Sequence, residues 1–349
     1  MKIVLLILSV LYLVPVTTAQ ATEISCGMLV TEDIVLDTNL DCRELNSNGL
    51  LIGENDITID LNGYIITGDT SAQAGVWDEG HFGITIKNGA IHGFSVGVLF
   101  RNSEDVAIEH LTIAHQAWES IYIEQTADVR IEDIQVSLVY EAEGNETSGV
   151  TLVGVEDAKL QDVNAEGSFY GVLSLESKDL KVTNSSFTDI WHVGIRLVKN
   201  HDAVLENNRI VGVGPGPFEC YSAIDVVGEA SKHIQIKSNI IAECGFGIFA
   251  ITEPANPPNK KFTIRDNRVR LTGDGILLNG LQDSEVIGNR VHFNLNGISL
   301  WDSARNNHIA GNTATGNVTW DLFHDETSVD NDWTENTCVV SNFEDIDCP

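Results

Sequence analysis

Short runs in which apolar and polar residues alternate recur along the whole chain, each closed by a small or polar residue. They read ITIKNGAI from Ile84, VAIEHLTI from Val106, VRIEDIQV from Val129, LKVTNSSF from Leu180, FTIRDNRV from Phe262 and SEVIGNRV from Ser284, ending with DWTENTCV from Asp332. The fifth position of these runs, and of four further ones from Ala158, Ala203, Ile234 and Asn307, is occupied by Asn88, His110, Asp133, Asp162, Asn184, Asn207, Ser238, Asp266, Gly288, Gly311 and Asn336. A second alternating strand lies between successive runs. It opens at Gly75, Gly97, Ser120, Gly149, Gly171, Gly194, Ala223, Gly247, Gly275, Gly297 and Asp321. From opener to the next fifth position the step is 13 residues in seven turns, among them 75→88, 171→184 and 275→288. One repeat is therefore about 22 or 23 residues of short strands and tight corners. No apolar period of 3.6 residues is sustained, which excludes helical repeats.

A strand-only repeat of this length predicts a parallel coil, each strand pairing with its copy one turn away at about 4.8 Å. Alternation then assigns sides: after Gly194, Ile195 and Leu197 point inward and Arg196 outward. The recurring Asn and Asp residues are expected to stack at the corners and share hydrogen bonds between turns. Six cysteines fall in sequence-local pairs, and proximity favours Cys26–Cys42, Cys220–Cys244 and Cys338–Cys348. Cys220 and Cys244 each lie three residues before an opener, so the register puts them on adjacent turns within disulfide reach. The other two pairs would pin caps over the terminal edges.

The chain has 349 residues and a formal charge of −31, with 43% apolar residues, enough for a core. That charge repels phosphate backbones and anionic lipid heads, setting aside nucleic-acid and membrane-surface partners. Lys2, the apolar run Ile3 to Val16 and Ala19-Gln20-Ala21 form a secretory signal pattern. The expected organisation is a signal peptide over 1–21, an N-terminal cap and first strands over 22–56, a solenoid over 57–340 and a cap tail over 341–349. The mature chain is expected to be secreted or periplasmic, where disulfides persist. Asn145, Asn184 and Asn317 begin glycosylation sequons.

ITIDLNGYIITG from Ile57, GITIKNGAIHGF from Gly83 and the later NNRI and GNRV turns resemble the right-handed parallel β-helix superfamily over roughly residues 50 to 340. The nearest resemblance is to NosD-type, carbohydrate-binding-and-hydrolysis repeats, with pectate lyases and mannuronan C5-epimerases more distant. It implies an all-β, single-stranded right-handed parallel β-helix of about twelve turns. It leaves three activities open, namely polysaccharide lyase or epimerase, non-catalytic binding or structural solenoid, and copper-enzyme maturation accessory. The DPHD-type signature of alginate epimerases is missing, and two methionines with paired cysteines give no copper-ligand cluster.

Two turns are longer than the rest between fifth position and opener, Asp133→Gly149 and Asn207→Ala223, both 16 residues. They leave from one corner and bracket the unexpanded turns opened by Gly171 and Gly194. Trp118, Glu119, Phe169, Tyr170, Trp191, His192 and Tyr221 gather at that corner in the register, and Tyr122 and Glu124 face outward nearby. Aromatic faces with flanking polar groups suit a saccharide groove, which makes Trp118, Glu119, Tyr122, Phe169, Trp191 and Tyr221 candidate binding residues and a polysaccharide the candidate partner. Equally, corner aromatics can simply staple turn to turn. Proton abstraction beside a uronate carboxylate needs a cation, a base and an acid, and His192, Arg196, Tyr170 and Asp225 supply those types. Arg196 and Asp225 also fit a plain surface ion pair between equivalent outward positions. Glu119, Glu124 and Asp225 could furnish the carboxylates of a hydrolase, but no spacing selects a pair. The pattern demands no cofactor; calcium is the ion Asp-rich corners would take.

Overall fold

The structure, a computed structural model, describes residues 23–45, 47–137, 147–212, 220–252, 256–343, 346 and 348. The signal sequence expected over 1–21, the sequon at Asn145 and the middles of both insertions lie outside the described residues. Thirteen strands, from Met28–Val30 to Trp320–His324, stack in parallel to make one face of a solenoid. Two further faces follow in each turn. They run as one bent strand in early turns, such as Glu104–Ala114, and as two short ones later, such as Lys178–Thr183 and Ser186–Thr188. The one helical element among the described residues is the 3-10 turn Arg43–Leu45.

Register follows the alternation. Ile59, Ile86, Ile108, Ile131, Leu160, Val182 and Leu205 form one column through the interior, every member fully buried. Each face contributes such a column, and each large aliphatic side chain buried there stabilises the stack by about 1.5–3 kcal/mol over an exposed one. The openers are small because turns approach closely: a Cβ on Gly171 would lie 2.4 Å from the Gly194 carbonyl oxygen and 2.5 Å from the Phe187 ring. Ile195 and Leu197 point in and Arg196 out, as the alternation predicts. All three expected disulfides form, with Cα separations of 5.5 Å for Cys26–Cys42, 4.7 Å for Cys220–Cys244 and 4.8 Å for Cys338–Cys348.

The corner ladder differs from the expectation by one residue. The fifth-position residues are left-handed bends, with φ of 61° at Asn88, 53° at His110 and 57° at Asp266. Short polar side chains and glycine recur there because such residues tolerate positive φ. From the bend at Asn184 onward, the residue after the bend turns inward and carries the hydrogen-bonded ladder, Ser185, Asn208, Asn239, Asn267, Asn289, Asn312 and Asn336. In the last run Glu335 is the bend (φ 55°), so DWTENTCV starts one residue late and Asn336 belongs to the ladder. A second ladder of Asn200, Ser231 and Asn259 lines another corner. In these turns the backbone amides of the ladder residues find their acceptors in the side chain one turn on.

Candidate functional site

The outward positions of the first face hold the candidate centre. Arg196 stands on Val193–Val198 and pairs in register with Asp225 on Ser222–Val227. Its Nε and NH2 both donate to Asp225 Oδ2, at 3.0 and 2.5 Å, and its NH1 donates to the Tyr170 hydroxyl at 3.2 Å. The guanidinium also lies 5.4 Å from the centre of the Tyr170 ring. Although Asp225 faces away from the solenoid interior, it is completely buried, and its Oδ1 has no hydrogen-bond partner. Burial pushes the Asp225 carboxyl above the usual carboxylate range against the pull of Arg196. An orphaned carboxylate oxygen of this kind costs stability, and a simple surface ion pair would not carry that cost. The plain-ion-pair expectation therefore describes the contact but not its setting.

His192 sits between rings, 4.6 Å from Phe169 and 5.3 Å from Tyr221, with Tyr170 at 5.6 Å. Burial among them, reinforced by the nearby Arg196 charge, lowers its pKa to about 4, so the imidazole is neutral at pH 7. No hydrogen bond to a described residue occupies either ring nitrogen. The four residues proposed for chemistry are thus brought together around Arg196. Phe169 and Tyr221 join them, and Trp191, half-buried, precedes His192 in the chain.

Trp118, Glu119 and Tyr122 fall elsewhere along the same edge. Glu119 shares a column with Tyr170 two turns away, across Ser148, and burial holds its carboxyl above the ordinary range. Tyr122 is three turns from Arg196, across Thr151 and Leu173, where its hydroxyl donates to Glu124 at 3.3 Å and Arg101 covers its ring at 5.7 Å. Trp118 is 48% exposed. Phe246 and Phe249, absent from the sequence-based set, extend the aromatic row: Tyr221 to Phe246 is 5.3 Å and Phe246 to Phe249 is 4.7 Å. The signal was available, because Phe249 occupies the same repeat position as Arg196 and Asp225.

Among the described residues no three His, Cys, Asp or Glu side chains gather into a metal site. No helix among them is long and apolar enough to cross a membrane.

Two family descriptions match the sequence: "Right handed beta helix region" over residues 138–270 and "Periplasmic copper-binding protein (NosD)" over residues 226–346. No curated protein matches it significantly. Among solved structures, the Dettilon tailspike protein gp208 is similar with a TM-score of 0.51 at 15% identity, over 88% of this chain and 59% of the tailspike. The surface adhesin PfbA of Streptococcus pneumoniae gives 0.51 at 14%, over 91% of this chain and 83% of the adhesin. The A-module of Azotobacter vinelandii mannuronan C-5 epimerase AlgE6 gives 0.51 at 13%, over 89% and 84%. At such identities the likeness is one of fold, and fold spans an adhesin, a tailspike and an enzyme. Together with the register, it shows that this chain has the right-handed parallel β-helix fold.

Proposed function

We propose that the protein acts outside the cytoplasm on a uronate-containing polysaccharide, with Arg196, Asp225, Tyr170 and His192 as the working centre of a lyase or epimerase. The observation that carries this reading is the buried, half-satisfied Asp225 carboxylate on the outer face, holding Arg196 beside a neutral histidine. Perturbed titratable groups of this kind gather where chemistry is done. The three disulfides support an extracytoplasmic setting.

Three of the five guanidinium N–H groups of Arg196 are committed to Asp225 and Tyr170, and the remaining two can take a uronate carboxylate. His192 then accepts the proton alpha to that carboxylate, and the C–H electron pair passes into an enediolate held by Arg196. In elimination the pair returns to form the ring double bond as the bond to the 4-oxygen breaks, and the Tyr170 hydroxyl protonates the leaving oxygen. In epimerisation the Tyr170 hydroxyl instead reprotonates the carbon from the face opposite His192. Asp225 orients Arg196 and touches no substrate, so it is a positioning residue. The aromatic row from Phe169 to Phe249 supports a sugar chain running along the solenoid axis.

A second reading, non-catalytic glycan binding, draws on the burial of Tyr170, which is 6% exposed, and of Asp225. Incubation with polygalacturonate, polymannuronate and neutral glucans separates the two. Unsaturated ends or changed epimer ratios, abolished in His192→Ala and in Arg196→Gln, establish the enzyme. Unchanged polymers that still bind leave only the binding module.

A further inference from the structure

Positive charge collects on the third face among the described residues without carboxylate partners. Arg268 on Arg268–Arg270 lies in register with Arg290 on Arg290–His292, and Arg270 with His292. Arg209 occupies the same column as Arg268, two turns away across Ile240. Arg43, Arg101, Arg130 and Arg196 each hold a carboxylate. Among the described residues, Arg268, Arg270 and Arg290 hold none, and their guanidinium groups make no hydrogen bond. Asp266 borders the adjoining hollow with Arg268 and Arg290 but stays beyond ion-pair distance. Arg209, Arg265 and Arg305 also hold no carboxylate, but only Arg268, Arg270 and Arg290 among the described arginines stand together on adjacent strands beside an apolar hollow.

Apolar surface is interleaved with this charge. Ile240 is 41% exposed and Phe293 67% exposed, and with Arg268, Arg270, Arg290 and His292 they line a cavity of about 460 Å³. His292 is fixed by its Nδ1 contact with Thr315 Oγ1 at 3.0 Å. Arginines one turn apart are about 4.8 Å from each other at the backbone, and Arg268 and Arg270 about 6.6 Å along the strand. That spacing presents planar forks to successive anionic groups, with an open ring beside them for a sugar face.

We propose that this third-face groove is a binding site for a carboxylate-bearing polysaccharide segment, separate from the Arg196 corner and standing whether or not that corner is catalytic. Guanidinium forks match carboxylates bidentately, and Phe293 supplies the apolar platform a sugar ring needs. A nucleic acid is disfavoured, because its denser charge meets the full repulsion of a −31 chain.

The test is an NMR titration of the full chain with an oligogalacturonate, a cello-oligosaccharide and inorganic polyphosphate. The oligogalacturonate should shift the amides of Arg268, Arg290 and Phe293, and Arg268→Gln/Arg290→Gln should weaken that response about tenfold, a loss of about 1.4 kcal/mol. His192→Ala should leave the third-face shifts intact, which separates this site from the corner. The proposal is overturned if the double variant, folded by circular dichroism, responds as the wild type does, or if the oligogalacturonate moves only corner amides. Equal binding of the neutral oligosaccharide, or polyphosphate binding as tight as the oligogalacturonate, overturns it as well.

Discussion

Asn289→Ala tests the assignment of the asparagine ladder at one rung. The Asn289 Oδ1 accepts from the Asn267 backbone N–H at 3.0 Å and from Asn267 Nδ2 at 2.9 Å. Its own Nδ2 reaches the Ile264 carbonyl at 2.9 Å and Asn312 Oδ1 at 3.0 Å. Both asparagines are completely buried, so water cannot replace the lost acceptor. Two Asn267 donors are orphaned, each costing about 1–3 kcal/mol, so the expected loss is about 4 kcal/mol. The control is Asp266→Gly at the neighbouring bend. Asp266 is exposed with φ 57°, and the next two turns already carry Gly288 (φ 65°) and Gly311 (φ 61°) there. It should move stability by no more than about 0.5 kcal/mol. Guanidinium denaturation followed by circular dichroism, with shared slopes, gives both numbers. If Asn289→Ala loses no more than Asp266→Gly, the buried column does not hold the turns together.

Further outcomes follow from other positions. Gly171→Ala, whose Cβ meets the Gly194 carbonyl and the Phe187 ring, should cost about 1–3 kcal/mol by overpacking, read as a lower denaturation midpoint. Asp225→Ala strands Arg196 and should cost about 3 kcal/mol, while Arg196→Met/Asp225→Leu recovers part of it; equal losses in both variants would refute the buried pair. His192 should titrate near pH 4 by NMR, and between that value and its unfolded value near 6.5 the unfolded state binds more protons. Its contribution to stability is therefore present above pH 6.5 and is lost as pH falls towards 4. Saturation with an oligouronate should raise the His192 pKa, because a bound carboxylate offsets the Arg196 charge.

The fold was legible because a solenoid repeats one local instruction. The opener positions read from the sequence from Gly75 to Asp321 coincide with the observed register, and Cys220 met Cys244 where that register put them. The ladder was misplaced by one residue because Asn-Asn and Asp-Asn pairs such as Asn207-Asn208 and Asp266-Asn267 offer two candidates, and only backbone φ separates bend from ladder. At the site, Arg196 with Asp225 followed from strand pairing alone. The burial of Asp225 did not, since it depends on side chains from several turns closing over an outward position. Trp118 and Tyr122 were grouped with His192 by corner alone, although the openers Ser120 and Gly194 already put them three turns apart. The third-face arginines were overlooked because Arg268 and Arg290 read as ordinary solvent-facing strand positions until their missing partners could be seen.

Proton abstraction is the step on which the Arg196 centre stands, and hydrogen exchange at the uronate carbon beside the carboxylate reads it most directly. The protein is incubated with polygalacturonate and polymannuronate in deuterium oxide, and recovered sugars and any fragments are examined by NMR. Deuterium at that carbon, or its loss in unsaturated ends, present with the wild type and absent with His192→Ala, is the expected result. Polymers that bind the protein yet keep every such proton would contradict it.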